Sequence, residues 1–462
     1  MEVEILSKES IKPSSSSSFS SDHPKTHKLS LLDQFTPPVY SPLVIFYQAN
    51  SNLSPSDTSE SLKQSLSESL TRFYPLAGKV KDSLAVECND DGACFIEAKT
   101  ATSLSDYLSQ SDLISTTNKL LPSELNWYHS APGSHLLVVQ VTQFSCGGLA
   151  IGLLVSHVIA DGASLSCFLR DWAATSRKST DGIIVPQFDA GSMFPQTVSF
   201  PLESTLMAFW SRFFRKARTA PRRFVFDSAS IARLKEKATS STLKNPTRVE
   251  VVSAFLCNSI MAAFRAKSSF LGDNNRKPTL VTQAVNMRRR ANPPLSPCLM
   301  GNFPWLAIKL FENDHHQDNN LELASLVGQL REATDKIDAD FVKSLQGEEG
   351  LTKLQEVVKG MNSTGSNSAN GVDYIGFTSF CNFGAYDQLD LGWGQPIWGT
   401  YVTAEPRSDG PLINTVFLVD RKVDQGIEAL VILDHEEMGF LDKDQQLLAF
   451  ASLDPSPYKT MT

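Results

Sequence analysis

The residues best suited to chemistry lie in one short run, Ser156-His157-Val158-Ile159-Ala160-Asp161-Gly162, at the end of the most apolar stretch of the chain. An imidazole titrates near neutrality, so His157 can take a proton from a hydroxyl and pass it on, provided its orientation is held. Asp161 follows four residues later, and Gly162 tolerates a positive φ, which lets a strand turn sharply and present a side chain to a cavity. The carboxylate could polarise the imidazole or serve structure alone; a spacing of four does not decide between them. A metal site needs three or four ligands, and the other histidines, His23, His27, His129, His135, His315, His316 and His435, stand at no recognisable ligand spacing. Neither a Gly-x-Ser-x-Gly elbow nor a Walker-type phosphate loop occurs. The base is therefore expected to act directly on a substrate hydroxyl, with no metal.

Two β-rich stretches, residues 135–144 and 148–155, are separated by Ser145-Cys146-Gly147 and read as an antiparallel pair whose second strand runs into His157. A helix over 164–174 follows. Upstream, the sequence predicts an edge strand at 3–7, a loose serine tract at 12–22 and a buried strand ending at Tyr47. An amphipathic helix over 56–73 carries Leu62, Leu66, Leu70 and Phe73, and a hairpin over 84–97 turns about Asn89-Asp90-Asp91-Gly92. Downstream, 186–221 is rich in Pro and Ser and reads as a linker. Beyond it come a strand at 223–226, helices over 229–237 and 248–266, and a strand at 279–285. Helices over 321–336 and 351–359 and strands at 415–419 and 426–433 complete the chain, with polar loops at 313–320 and 362–371. No regular βαβ alternation appears, so two α+β domains are expected, 1–185 and 222–462, joined by that linker.

The chain has 462 residues, 41% apolar and 20% charged, enough for two ordinary cores. Its 42 Lys and Arg against 50 Asp and Glu give a net charge of −8, which excludes a surface built to neutralise nucleic-acid phosphates. The seven cysteines include no C-x-x-C pair and read as reduced, mostly buried thiols. Met1-Glu2-Val3-Glu4-Ile5 carries acid where a signal peptide would carry base, and the apolar run at 147–155 falls well short of the roughly 20 residues a membrane helix needs. The expectation is a cytosolic protein with no membrane span.

The run from His157 to Gly162 resembles the His-x-x-x-Asp-Gly motif of the BAHD acyltransferases, a plant acyl-CoA-dependent family related to chloramphenicol acetyltransferase and the condensation domains. A second segment, Asp390-Leu391-Gly392-Trp393-Gly394, resembles the family's Asp-Phe-Gly-Trp-Gly signature. Tyr74-Pro75-Leu76-Ala77-Gly78 and Gln283-Ala284-Val285-Asn286-Met287-Arg288 match in the same order, so the likeness spans nearly the whole chain. The LSLLDQ opening at 29–34, the CNDDG turn at 88–92, FSCGG at 144–148 and NPPL at 292–295 resemble the branch that holds vinorine synthase, salutaridinol acetyltransferase and deacetylvindoline acetyltransferase.

The resemblance implies two chloramphenicol-acetyltransferase-like domains of mixed β-sheet with flanking helices, a channel at their interface, and a monomer. It implies that His157 is the general base in a ternary complex of acyl-CoA and a small alcohol, with acetyl-CoA the expected donor. Asp161 would then point away from substrate, paired with an arginine, and Asp390 would pair with Arg290 in a packed turn with Gly392, Trp393 and Gly394. Leu391 stands where the family has Phe, and Phe380 and Asn382 stand where this branch has Trp and Arg.

Coenzyme A is expected near Lys235 and Lys237, at Ser253 on the long helix, and along Thr378 and Ser379, with Arg215, Lys216, Arg218, Arg222, Arg223 and Arg233 as a basic patch. Thr36, Pro37, Phe303 and Trp305 are expected to line the acceptor side. Two alternatives remain open: transfer of a larger acyl group or transfer to an amine, and a non-catalytic relative that binds acyl-CoA or a metabolite.

Overall fold

The computed structural model describes residues 1–14, 23–52, 54–122, 129–272, 277–312, 322–365, 371–384, 386–402 and 411–458. Two mixed sheets with flanking helices form the molecule. The first has six strands, in the spatial order Glu4–Ile11, Ala93–Lys99, Leu137–Gln143, Leu149–Ser156, Tyr40–Tyr47 and Trp398–Tyr401. The second has seven: Pro304–Phe311, Thr279–Asn286, Asp373–Ser379, Thr415–Asp420, Ile427–Asp434, Thr219–Phe226 and Ser452–Leu453.

The strand that leads to His157 is interior to its sheet, antiparallel to Leu137–Gln143 on one side and Tyr40–Tyr47 on the other. All eight of its residues are buried, which accounts for its uninterrupted apolar sequence. Pairing of Tyr40 with Ser156 brings its carboxyl end beside Val39, whose carbonyl accepts the His157 N–H at 2.7 Å. Helix Gly162–Ser176 then crosses the first sheet and packs on helix Pro55–Arg72. Leu62, Leu66 and Leu70 of the latter are fully buried, and Arg72 clasps the buried carboxylate of Asp171 at 2.8–3.1 Å.

The two halves are not cut cleanly at the linker. Trp398–Tyr401, from the carboxyl-terminal half, adds to the edge of the first sheet beside Tyr40–Tyr47, and Trp398 stacks on Phe46 at 5.3 Å. The expected boundary at 222 falls inside strand Thr219–Phe226, and the linker carries short helices at Ala190–Met193 and Leu206–Ser211.

Two expectations are corrected. Ala85–Glu87 and Ala93–Lys99 do not form a hairpin: the first pairs with Thr26–Lys28 and Lys79–Val80, the second with Glu4–Ile11 and Leu137–Gln143. The cysteines are not all free, because Cys167 and Cys298 are joined in a disulfide, while Cys146 is exposed and Cys88, Cys94, Cys257 and Cys381 are buried. Helix Arg248–Phe270 is, at 23 residues, long and apolar enough to cross a membrane by length and composition; here it packs into the core beside the second sheet, with Val251, Val252, Leu256 and Ile260 fully buried. Residues 15–22 of the serine tract, the loop at 313–320 and residues 366–370 of the loop at 362–371 lie outside the described residues.

Candidate active site

His157 leaves the strand in a turn and points its Nδ1 at Asn302, with Oδ1 2.7 Å away. The amide orientation is fixed from its other end: Asn302 Nδ2 donates to the His157 carbonyl at 2.8 Å and to Asp33 Oδ1 at 2.9 Å. Both partners are acceptors, so Oδ1 must face the imidazole and Nδ1 must carry the proton. Nε2 is left with its lone pair. Asp33 is held in turn by the capping box of helix Leu31–Phe35, accepting from the Ser30 N–H and hydroxyl at 2.8 and 2.7 Å. Burial pushes its carboxyl above the usual carboxylate range, and the bonds from Ser30 and Asn302 oppose that shift.

Asp161 faces away from the imidazole. It N-caps helix Gly162–Ser176, accepting from Ser164 N–H at 2.8 Å, and binds Arg288 through both oxygens at 2.6 and 3.1 Å. Burial alone would raise its pKa, but the guanidinium and the N–H donors of Ser164 and Phe303 outweigh burial and hold it below the ordinary value. Arg288 is 1% exposed. It also donates to the carbonyls of Leu299 and Gly301, at 2.7 and 3.1 Å from Nη2, and lies 4.3 Å above the Phe303 ring. The segment from 288 to 303 thus folds around one guanidinium, which places Asn302.

Gly162 is not needed for positive φ; it occupies the first helical position. A Cβ there would fall 2.6 Å from the Phe380 ring, so glycine lets that aromatic close on the helix. Phe380 stacks on Tyr401 at 4.0 Å and, with Phe383, Leu43 and Leu165, walls an apolar cavity of about 70 Å³. Asn382 sits outside this wall, accepting from Arg248 at 3.1 Å and donating its N–H to Asp420 at 2.6 Å.

A second cavity, of about 290 Å³, gathers Ser253, Gln283, Ser379, Glu250, Arg290 and Arg331. Ser253 Oγ and Gln283 Oε1 are buried there without a partner, as expected of groups awaiting a polar ligand. Thr378 projects from the other face of its strand. The amino end of helix Arg248–Phe270 is already capped by Thr247 and Glu250.

Several expected site residues fall elsewhere. Arg290 does not meet Asp390; its nearest carboxylate is Asp335, at 3.5 Å, and its side chain faces the Ser253 cavity. Asp390 instead closes its own turn, accepting the N–H groups of Gly392 and Gly394 at 2.8 and 3.0 Å, where φ is +105° and +131°. The turn docks on the carboxyl end of helix Gly162–Ser176: Arg177 donates to the Asp390 carbonyl, and Ser176 to that of Leu391 at 2.7 Å. Trp393 packs partly buried beside Tyr47.

Phe303 and Trp305 are core residues, the second stacked on Phe35 at 4.8 Å, and do not line an open channel. The Thr36 hydroxyl donates to the Leu32 carbonyl, and Pro37 is buried. The expected basic patch is largely neutralised: Arg215 pairs with Glu437 and Asp434, Arg222 with Asp442 and Asp454, and buried Arg223 with Glu428. Arg233 donates to the Ala449 carbonyl. Lys235 and Lys237 lie on the last turn of helix Ser228–Ala238, outside the Ser253 cavity's lining.

His157, after the fourth strand of the first sheet, thus meets Asn302, which lies just before the first strand of the second. The Transferase family model matches residues 1–448, and the chain belongs to that family, the BAHD acyltransferases. It is 43% identical to epi-neemfruitin B 7-O-acetyltransferase of Melia azedarach, over 99% of this chain and 100% of that one. It is also 43% identical to limonoid 7-O-acetyltransferase of Citrus sinensis, with the same coverage. The crystal structure of vinorine synthase superposes with a TM-score of 0.78 at 32% identity, over 99% of this chain and 100% of the other.

Proposed function

We propose that the chain is an O-acetyltransferase that moves acetyl from acetyl-CoA to a hydroxyl of a plant specialised metabolite, with His157 Nε2 as general base in a ternary complex. The observation that carries the reading is the chain Asp33–Asn302–His157, which leaves Nε2 as the one ring nitrogen able to accept a proton. As the acceptor oxygen bonds to the thioester carbonyl carbon, its proton passes to Nε2; the C–S bond then breaks, and the departing thiolate takes that proton back. Asn302 Oδ1 accepts from Nδ1–H throughout and stabilises the transient imidazolium. A thiolate leaves readily, so no second acid and no acyl-enzyme are required.

Acyl-CoA is a substrate here, and the residues fit it. Ser253 and Gln283 offer unpaired polar atoms to the amides of the pantetheine arm; Arg331 is neutralised there by Glu250 at 2.6 Å, so positive charge in the cavity comes from Arg290. Acetyl is favoured by two relatives named as acetyltransferases. Both of these relatives act, by name, at a 7-hydroxyl, so a limonoid-type alcohol is the acceptor to try first.

Incubation with acetyl-CoA and a 7-hydroxy limonoid should release free thiol and the acetyl ester. The folded His157→Ala protein should lose about 10²–10⁴-fold in kcat. Near-wild-type turnover by that variant would rule out the base. Transfer of benzoyl or a branched acyl in strong preference to acetyl would move the donor assignment.

A further inference from the structure

The disulfide between Cys167 and Cys298 spans 131 residues of sequence and joins helix Gly162–Ser176 to the loop that delivers Asn302. Cys167 lies six residues beyond Asp161, and Cys298 four before Asn302. Their Cα atoms are 5.7 Å apart, within the span such a bond allows. Arg170, one turn beyond Cys167, directs Nη2 at both sulfurs, 3.2 Å from Cys167 and 3.5 Å from Cys298, while Nη1 donates to Gln388 at 3.0 Å. A guanidinium so placed favours thiolate over thiol, and thiolate is the form that exchanges with disulfides. Cys298 is the more accessible partner, 9% exposed against 1%, and follows the exposed Pro297.

We propose that Cys167 and Cys298 are a reversible thiol–disulfide couple, driven by low-molecular-weight disulfides and activated by Arg170, that clamps the Asn302 loop to the helix capped by Asp161. In the forward direction the Cys298 thiolate attacks one sulfur of a small disulfide, forming a mixed disulfide and expelling one small thiolate. The Cys167 thiolate then attacks the Cys298 sulfur, forming the intrachain bond and expelling the second. Two protein thiols are oxidised, one small disulfide is reduced to two thiols, and the two protons lost by the cysteines end on those thiols. The ion pair between Arg288 and Asp161 is a second, independent tie on the same loop, so loss of the clamp should lower endurance and leave the chemical step in place.

The test uses the full chain in buffers graded from reduced glutathione to glutathione disulfide, quenched with an alkylating reagent and digested for mass spectrometry. The peptides of Cys167 and Cys298 should pass from doubly alkylated to cross-linked as the disulfide share rises. The oxidised protein should melt several degrees above the reduced one, with kcat at 25 °C unchanged within two-fold. Cys298→Ser should abolish the melting difference, and Arg170→Gln should slow cross-linking several-fold. The proposal is overturned if both cysteines stay alkylated throughout, if oxidised and reduced wild-type protein melt together, or if Arg170→Gln cross-links at the wild-type rate.

Discussion

Helix Gly162–Ser176 has an aspartate working at each end, and the two do different things. At its amino end Asp161 is buried, binds Arg288 with both oxygens and receives three elements of chain at once. At its carboxyl end, about 22 Å away by helix rise, Asp390 closes a glycine turn that rests on Ser176 and Arg177. The first end delivers Asn302 to His157; the second only pins the turn to the first sheet. Two sequence signatures of equal prominence therefore divide into one that positions chemistry and one that holds architecture.

Breaking the amino end should cost most. Arg288→Leu leaves the Asp161 carboxylate buried and unpaired, and urea unfolding should report a loss of about 3–5 kcal/mol. The pH dependence carries the same signature. Because the folded pKa of Asp161 is held below its unfolded value, its contribution is present above the ordinary carboxylate pKa and fades as pH falls through the folded one. Asp161→Asn should flatten that acid limb.

Asn302→Ala should next lower kcat about 10²-fold, since misplacing a reacting group can cost that much, with KM for both substrates within a few-fold. Equal kcat would place the imidazole's orientation elsewhere. At the far end, Asp390→Ala removes an acceptor from two N–H groups and should cost about 1–3 kcal/mol of stability; kcat per folded molecule should hold within roughly two-fold. A large kcat loss in stable Asp390→Ala would erase the contrast between the ends. Leu391→Phe, adding volume at a site 4% exposed, should lower stability by about 1–3 kcal/mol and leave turnover alone.

The sequence reading located His157, the strand before it and the helix after it, because these rest on local patterns: an uninterrupted apolar run, a capping aspartate and a helical period. It missed what depends on distant partners. Residues 84–97 carry a convincing turn, yet their strands pair with residues far along the chain. Arg288, Arg289 and Arg290 are consecutive, and only the short 3₁₀ turn Met287–Arg289 turns the first inward and leaves the third at a cavity. Arg215, Arg222 and Arg223 looked free because the carboxylates that neutralise them lie some 200 residues on. Asn302 gave no signal, since its role comes from Asp33 and His157, which meet it only in the fold. Cys167 and Cys298, separated by 131 residues, were invisible as a pair for the same reason.

The central claim, that the fold presents His157 as a base with its free nitrogen at Nε2, is tested most directly by ¹⁵N NMR of protein labelled at histidine, with Asn302→Ala to assign the perturbed ring. At a pH where the imidazole is neutral, the wild-type His157 ring should carry its proton on Nδ1, with Nε2 showing the pyridine-type nitrogen signal. The Asn302→Ala ring should show both tautomers. A wild-type ring protonated at Nε2 would contradict the account.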